Sequence, residues 1–167
     1  MSAEQKTKSG KRKAPGKHHA RIAAIQALYQ MEISSRGAAG VIQEFLEQRF
    51  ETPSESLPEG EVDKPFFVRL VEQVVKNQDQ IDQAIRHRLS GNWRLSRIDR
   101  TLRAILRCGS YELLVDSTAP RAVIIDEYVE ITGAFFDKSE VGFINATLDS
   151  IAKGELPINM KQCKDAE

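Results

Sequence analysis

Apolar residues recur along this chain at steps of three and four, and no stretch alternates at steps of two, so the pattern is that of helix faces. From about residue 17, Ile22, Ile25, Leu28, Tyr29 and Ile33 share one face, with Ala23, Ala24 and Ala27 opposite. Gly37 is the expected terminator. A second helix follows with Val41, Ile42, Phe45 and Leu46 inward. Residues 51–65 carry three prolines and five acids against one lysine, a polar loop, and Pro65 is placed to open the next helix. Phe67, Leu70, Val71, Val74, Gln78, Ile81, Ile85 and Leu89 then keep a helical period, as one long helix or as two broken near Asn77. Gly91 and Asn92 interrupt it.

Ser96 with Asp99 resembles a capping box, which predicts a helix from Ser96 to about Val115 with Ile98, Leu102, Ile105, Leu106, Gly109 and Leu113 inward. Pro120 opens another, with Val123, Ile124 and Val129 as core candidates and Phe135 near its end. The last starts near Asp137 or Ser139, buries Phe143 or Ile144, Leu148 and Ile151, and stops at Gly154. The expected fold is all-α, six or seven helices packed as two small helical halves.

Composition narrows the picture. At 167 residues with 41% aliphatic and aromatic residues, the chain can build a real core. The division expected is an arm over residues 1–16, a helical domain over 17–154 and a polar tail over 155–167. Nothing approaches a membrane span of about 20 apolar residues, and the basic N-terminus lacks the apolar stretch of a secretory signal. Cys108 and Cys163 have neither metal-ligand nor redox spacing, so both are expected as free thiols, and the expected location is the cytoplasm.

The formal net charge is zero, but it is unevenly spread. Residues 1–21 hold seven Lys/Arg and one acid, leaving 17 basic and 23 acidic residues elsewhere, a net of −6. A basic arm of this kind serves an anionic partner, nucleic acid above all, or else is a disordered solubilising tail. Its low apolar content, Pro15 and Gly16 predict mobility in the free protein.

Catalytic constellations are missing from the sequence: no His-Glu-x-x-His, no phosphate-binding glycine loop, no serine elbow. No cofactor or metal is expected. Glu127 and Glu130, near Asp126, could serve a metal or an acid–base pair at i, i+3, but a solvated face or a protein contact is the better expectation. Seven arginines lie between Arg86 and Arg107 with a single acid, Asp99. Helical geometry puts Arg100, Arg103 and Arg107 in one stripe away from the apolar face, either a phosphate or partner surface or a solvated face. Tyr29, Tyr111, Tyr128, Phe143 and Trp93 are candidates for stacking on unpaired bases. Periodicity assigns most of them to the core, and Phe143, in the first turns of the last helix, is the preferred stacker.

Four segments in order, "ARIAAIQALYQ", "NWRLSRIDRTLRAILRCGSYEL", "PRAVIIDEYVEI" and "GFINATLDSIA", resemble the NusB family of bacterial transcription antitermination factors over roughly residues 17–153. The resemblance implies an all-helical, non-enzymatic RNA-binding protein. Its implied partners are the ribosomal protein NusE, single-stranded boxA RNA and the RNA polymerase antitermination complex, and it acts above all in ribosomal RNA operons. It further implies RNA contacts at Lys17, His18, His19, Arg21, Arg103, Arg107, Ser139 and Phe143, with Tyr29 facing the ribosomal partner. Relatives occur as monomers or dimers, so the resemblance leaves monomer and homodimer both open.

Departures from the family pattern carry expectations of their own. His18 and His19 replace what are often arginines. Histidine titrates near pH ~6.5, so RNA affinity is expected to rise as pH falls. Leu102 stands where many relatives carry an acid, at a position associated with the partner surface. Two other classes compete with the main reading: a helical protein–protein adaptor, and an accessory domain for RNA modification without boxA specificity. No Gly-rich cofactor-binding segment follows the helical unit, which speaks against the second.

Overall fold

In the computed structural model, described over residues 15–52, 57, 60–89, 93–116 and 119–154, helix α5 (Arg100–Leu114) runs through the middle of the molecule. Around it pack α1 (Pro15–Ser34), α3 (Lys64–Lys76), α4 (Gln78–Arg88), α6 (Arg121–Phe135) and α7 (Lys138–Lys153). The remaining helix, α2 (Ala38–Glu44), leans on α1 and α3 and runs into a π-helical turn at Phe45–Arg49. The seven helices enclose one apolar core, and no strand occurs among the described residues. All of α5 from Leu102 to Leu114 is buried except the partly exposed Arg107, which is why its flanks carry so many ion pairs.

Several boundaries follow local chemistry the pattern had left open. α1 begins at Pro15, two residues inside the expected arm, and residues 1–14 of that arm lie outside the described residues, as do 155–167. Its end comes at Ser34, before Gly37, with Ser35 in the left-handed region at φ 56°. Gly37 instead precedes α2 in extended backbone. The break near Asn77 is real: α3 stops there and α4 starts at once, with Asn77 Nδ2 donating to the Gln73 carbonyl at 2.8 Å. Pro65 sits in the first turn of α3, one residue after its start, under an Asp63 cap whose carboxylate accepts from Phe66 N–H.

The capping box at Ser96 does not form. Ser96 belongs to a short 3₁₀ turn, Leu95–Arg97, and α5 starts at Arg100 with Asp99 as its cap. The Asp99 carboxylate accepts from the N–H groups of Thr101 and Leu102 at 2.8 and 3.3 Å. One acidic side chain thus satisfies two of the free donors at the helix start.

The core face of α1 centres on the alanine stripe and takes Ile25 and Leu28 from the larger face. Ala20, Ala23, Ala24 and Ala27 are fully buried, while Tyr29 is 39% and Ile33 51% exposed. Small residues let helix axes approach closely, so the alanine stripe is what α3 and α5 pack against. The same device recurs at Gly109 on α5. A Cβ there would stand 3.0 Å from both methyls of Leu148 and 3.3 Å from the Tyr128 ring.

Candidate nucleic-acid interface and partner groove

The start of α1 carries four of the expected RNA contacts, and the fold treats them differently. Lys17, His18 and His19 are partly exposed. The Lys17 ammonium lies 5.3 Å from the Phe66 ring centroid. His19 donates from Nδ1 to the Glu61 carbonyl at 2.8 Å, and Asp63 N–H donates to the Gly16 carbonyl at 3.0 Å. The acidic segment before α3 is thereby tied to the entry of α1. His18 Nδ1 lies 2.8 Å from a carboxylate oxygen of Glu127 on α6.

Arg21 points inward, against the expectation of an exposed phosphate contact. It is 4% exposed and grips Glu112 of α5 with two parallel bonds of 2.9 and 2.8 Å. Glu127 stands 3.4 Å away, and the Tyr128 hydroxyl donates to Glu112. Burial opposes the guanidinium charge, but the hydrogen bond and charge of Glu112 outweigh it, and the Arg21 pKa lies above its ordinary value. Burial, then the charge of Glu112, pushes the Tyr128 phenol up, so it remains a neutral donor.

Glu127 is therefore not on a solvated face. It is 1% exposed, inside a network of α1, α5 and α6. Its carboxylate, that of Glu130 and the His18 ring bring ligand atoms within 4.8 Å of one another. Arg21 already supplies a cation at this cluster, which makes it an ion-pair network that fastens the entry of α1.

The arginine stripe of α5 is corrected in the same sense. Arg103 is 9% exposed, donates to the carbonyls of Leu95 and Ser96 at 3.4 and 3.0 Å, and pairs with Glu32 of α1. Arg107 is half-buried and holds Asp82 of α4 through two bonds of 2.8 and 3.1 Å. Arg100 is exposed, with Nε 3.6 Å from Glu32. The stripe clamps α5 to its neighbours, because acids on α1 and α4 lie opposite each arginine.

The large face of α1 is divided: Ile25 and Leu28 are buried in the core, and its outer part lines a groove. Ile22, Ile25, Tyr29 and Ile33 face Ile131 and Phe135 of α6 across a cleft of about 610 Å³. Phe135 is itself 49% exposed. Glu44 and Arg49 sit on the rim. Hydrogen bonds from Arg36 first and Gln30 second hold the Glu44 carboxyl below its usual range. Leu102, the other expected partner residue, is buried, and its neighbour Thr101 lines the groove. The period of α1 had shown which residues share this face; the alanines opposite were the available sign that it stays uncovered.

At the start of α7, Ser139 is exposed and donates from Oγ to Glu140 at 2.8 Å. That bond first, then backbone donors, lowers the Glu140 pKa. Phe143 is half-buried, and Ile144 takes the fully buried position beside it. Tyr111 and Tyr128 are core residues. Trp93, in the link before α5, is exposed, and the Phe143 ring stacks on it.

Comparison with known proteins agrees with this architecture. The NusB family matches residues 18–153. The chain is 51% identical over 134 residues to the transcription antitermination protein NusB of Caulobacter vibrioides, covering 80% of this chain and 90% of that one. It is also similar to the structure of T. maritima NusB, with a TM-score of 0.69 and 29% identity, over 87% of this chain and 96% of that one. A structure of antitermination factors NusB and NusE with dsRNA shares the fold, with a TM-score of 0.68 and 21% identity, over 82% of this chain and 96% of that one.

Proposed function

The chain belongs to the NusB family, whose curated relatives are transcription antitermination proteins and not enzymes, and from that premise we propose that it binds single-stranded boxA RNA together with the ribosomal protein NusE. It thereby helps RNA polymerase read through terminators, above all in ribosomal RNA operons. The observation that carries the partner half is the groove between α1 and α6, open and apolar with Tyr29 and Ile33 exposed. Exposed apolar surface of this kind marks a protein contact. The net charge of −6 outside residues 1–21 suits a basic ribosomal partner. A structural relative holding both NusE and dsRNA supports the pairing.

RNA falls to the other edge. Lys17, His18 and His19 at the entry of α1, with Ser139 and Phe143 at the entry of α7, are the contacts proposed. Arg21, Arg103 and Arg107 act as positioning residues, holding α1, α4 and α5 in place beneath that surface. Leu102 supports the partner groove from below, next to Thr101. A homodimer covering the groove, or a protein adaptor using it without RNA, is the competing arrangement.

Fluorescence anisotropy separates these. A labelled boxA RNA and a scrambled RNA of equal composition are titrated with the chain, with and without NusE, at two salt concentrations. The expected result is tighter boxA binding that strengthens with NusE and falls with salt, at a log–log slope of about −0.7 per neutralised phosphate. Equal binding to both RNAs, unchanged by NusE, overturns the proposal and leaves the adaptor.

A further inference from the structure

The seven arginines between Arg86 and Arg107 divide into two groups once the fold is known. Arg100, Arg103 and Arg107 each reach an acid on a neighbouring helix. Arg86, Arg88, Arg94 and Arg97 are exposed, and among the described residues none of them meets an acid. Two of these free cations border one small pocket. Arg86, Leu89, Trp93, Arg94, Leu95 and Ser96 enclose about 290 Å³ where the last turn of α4 meets the link to α5, and no described acid lines it.

Trp93 is the chain's sole tryptophan and is 57% exposed. It is also ordered by contact. The Phe143 ring lies 5.0 Å away, centroid to centroid, at 26°. Phe143 in turn packs on the core. One aromatic ring thus fixes the indole while much of its surface remains open to solvent, in a pocket it shares with Arg86 and Arg94, neither of which meets a carboxylate among the described residues. Burying an indole is strongly favourable, and here that gain is left unused in the free protein.

We propose that Trp93 is a stacking platform for a base of single-stranded RNA, with Arg86 and Arg94 holding the adjoining phosphates. The inference rests on the RNA-binding function proposed above and adds a site to it. It extends the aromatic surface of Phe143 from α7 onto the link between α4 and α5. Every base offers a π-face to an indole, so the platform adds affinity with little choice among bases. Planar guanidinium forks suit phosphate oxygens. The chemistry selects a ligand with both aromatic rings and closely spaced phosphates, which a single-stranded nucleic acid supplies and a duplex, its bases already stacked, does not.

The lone tryptophan makes the test direct. The unmodified full-length chain is titrated with a short boxA RNA carrying a terminal label, and with an abasic ribose-phosphate chain of equal length. Trp93 emission and label anisotropy are followed together. RNA is expected to quench Trp93 emission in step with the anisotropy, while the abasic chain leaves emission unchanged. Trp93→Ala is expected to weaken RNA binding about tenfold, within the range for loss of one base–aromatic stack, and Trp93→Phe to retain most of it. Arg94→Ala is expected to make the salt slope shallower by about 0.7. RNA binding with unchanged Trp93 emission overturns the platform and leaves the RNA-binding function intact. Quenching by the abasic chain as well overturns stacking. Absence of RNA binding by anisotropy overturns both, so the two failures are distinct.

Discussion

A guanidinium and a carboxylate taken out of water together depend on each other, and Arg21 with Glu112 is such a pair. Removing one partner strands the other, which costs about 3–5 kcal/mol at a buried site. Arg21→Ala is therefore expected to lower unfolding stability by that amount in urea denaturation. Combining Arg21→Met with Glu112→Gln should recover part of it, because the Glu112 charge is then gone while buried Glu127 keeps His18 beside it. Any loss of RNA affinity in Arg21→Ala should track the loss of structure seen by circular dichroism. A fully folded Arg21→Ala chain with lost RNA affinity would instead make Arg21 a direct contact.

Cys108 shows the same dependence on burial with the opposite consequence. It is fully buried, and burial first, then the charge of Glu112, pushes its thiol well above the ordinary range. Thiolate is the reactive form, so in a Cys163→Ser chain Cys108 should resist iodoacetamide at pH 8 and react once denaturant is added. Rapid labelling of the native chain at that pH would contradict the packing around α5.

At the scale of elements, contact between helices is set by the smallest residues on each. Gly109 of α5 faces the Leu148 methyls of α7 with no room for a Cβ. Gly109→Val should destabilise by about 1–3 kcal/mol through overpacking, measurable as a lower urea midpoint with an unchanged slope. The end of α1 offers the converse. Ser35 holds a positive φ that an L-residue adopts at a cost of about 1–2 kcal/mol. Ser35→Gly should remove that strain and raise the thermal midpoint by a few degrees, whereas Ser35→Val should lower it.

Across the whole molecule, α5 couples the two surfaces. Arg103 and Arg107, one turn apart, hold acids on α1 and α4, and Glu112 near the other end holds Arg21 of α1, so the groove and the proposed RNA edge share one frame. Ile33→Asp alters a residue half in solvent and should change stability by less than about 1 kcal/mol. It should nonetheless weaken NusE pairing tenfold or more by calorimetry, because a charge enters the apolar groove. Unchanged NusE affinity would remove the groove as the partner site.

What the sequence determined by itself was helix content and order, with the ends at Pro65, Pro120 and Gly154 but not those at Gly37 and Ser96. Those depend on local spacing and on side chains within a turn of the backbone they satisfy. It also offered Phe143 and the basic entry of α1 as the RNA contacts now proposed, since charge and aromatic identity are written residue by residue. Only the tertiary structure decided which face of α1 is core, because periodicity groups residues on a face without saying whether a partner helix covers it. The fate of the arginines was decided there too. Arg21 and Glu112 are 91 positions apart and Arg103 and Glu32 are 71, so no local pattern could show that those charges neutralise each other while Arg86 and Arg94 meet no acid among the described residues. Close approach over alanine and glycine brings the helices together. Where acids then stand opposite arginines is a property of the packed whole.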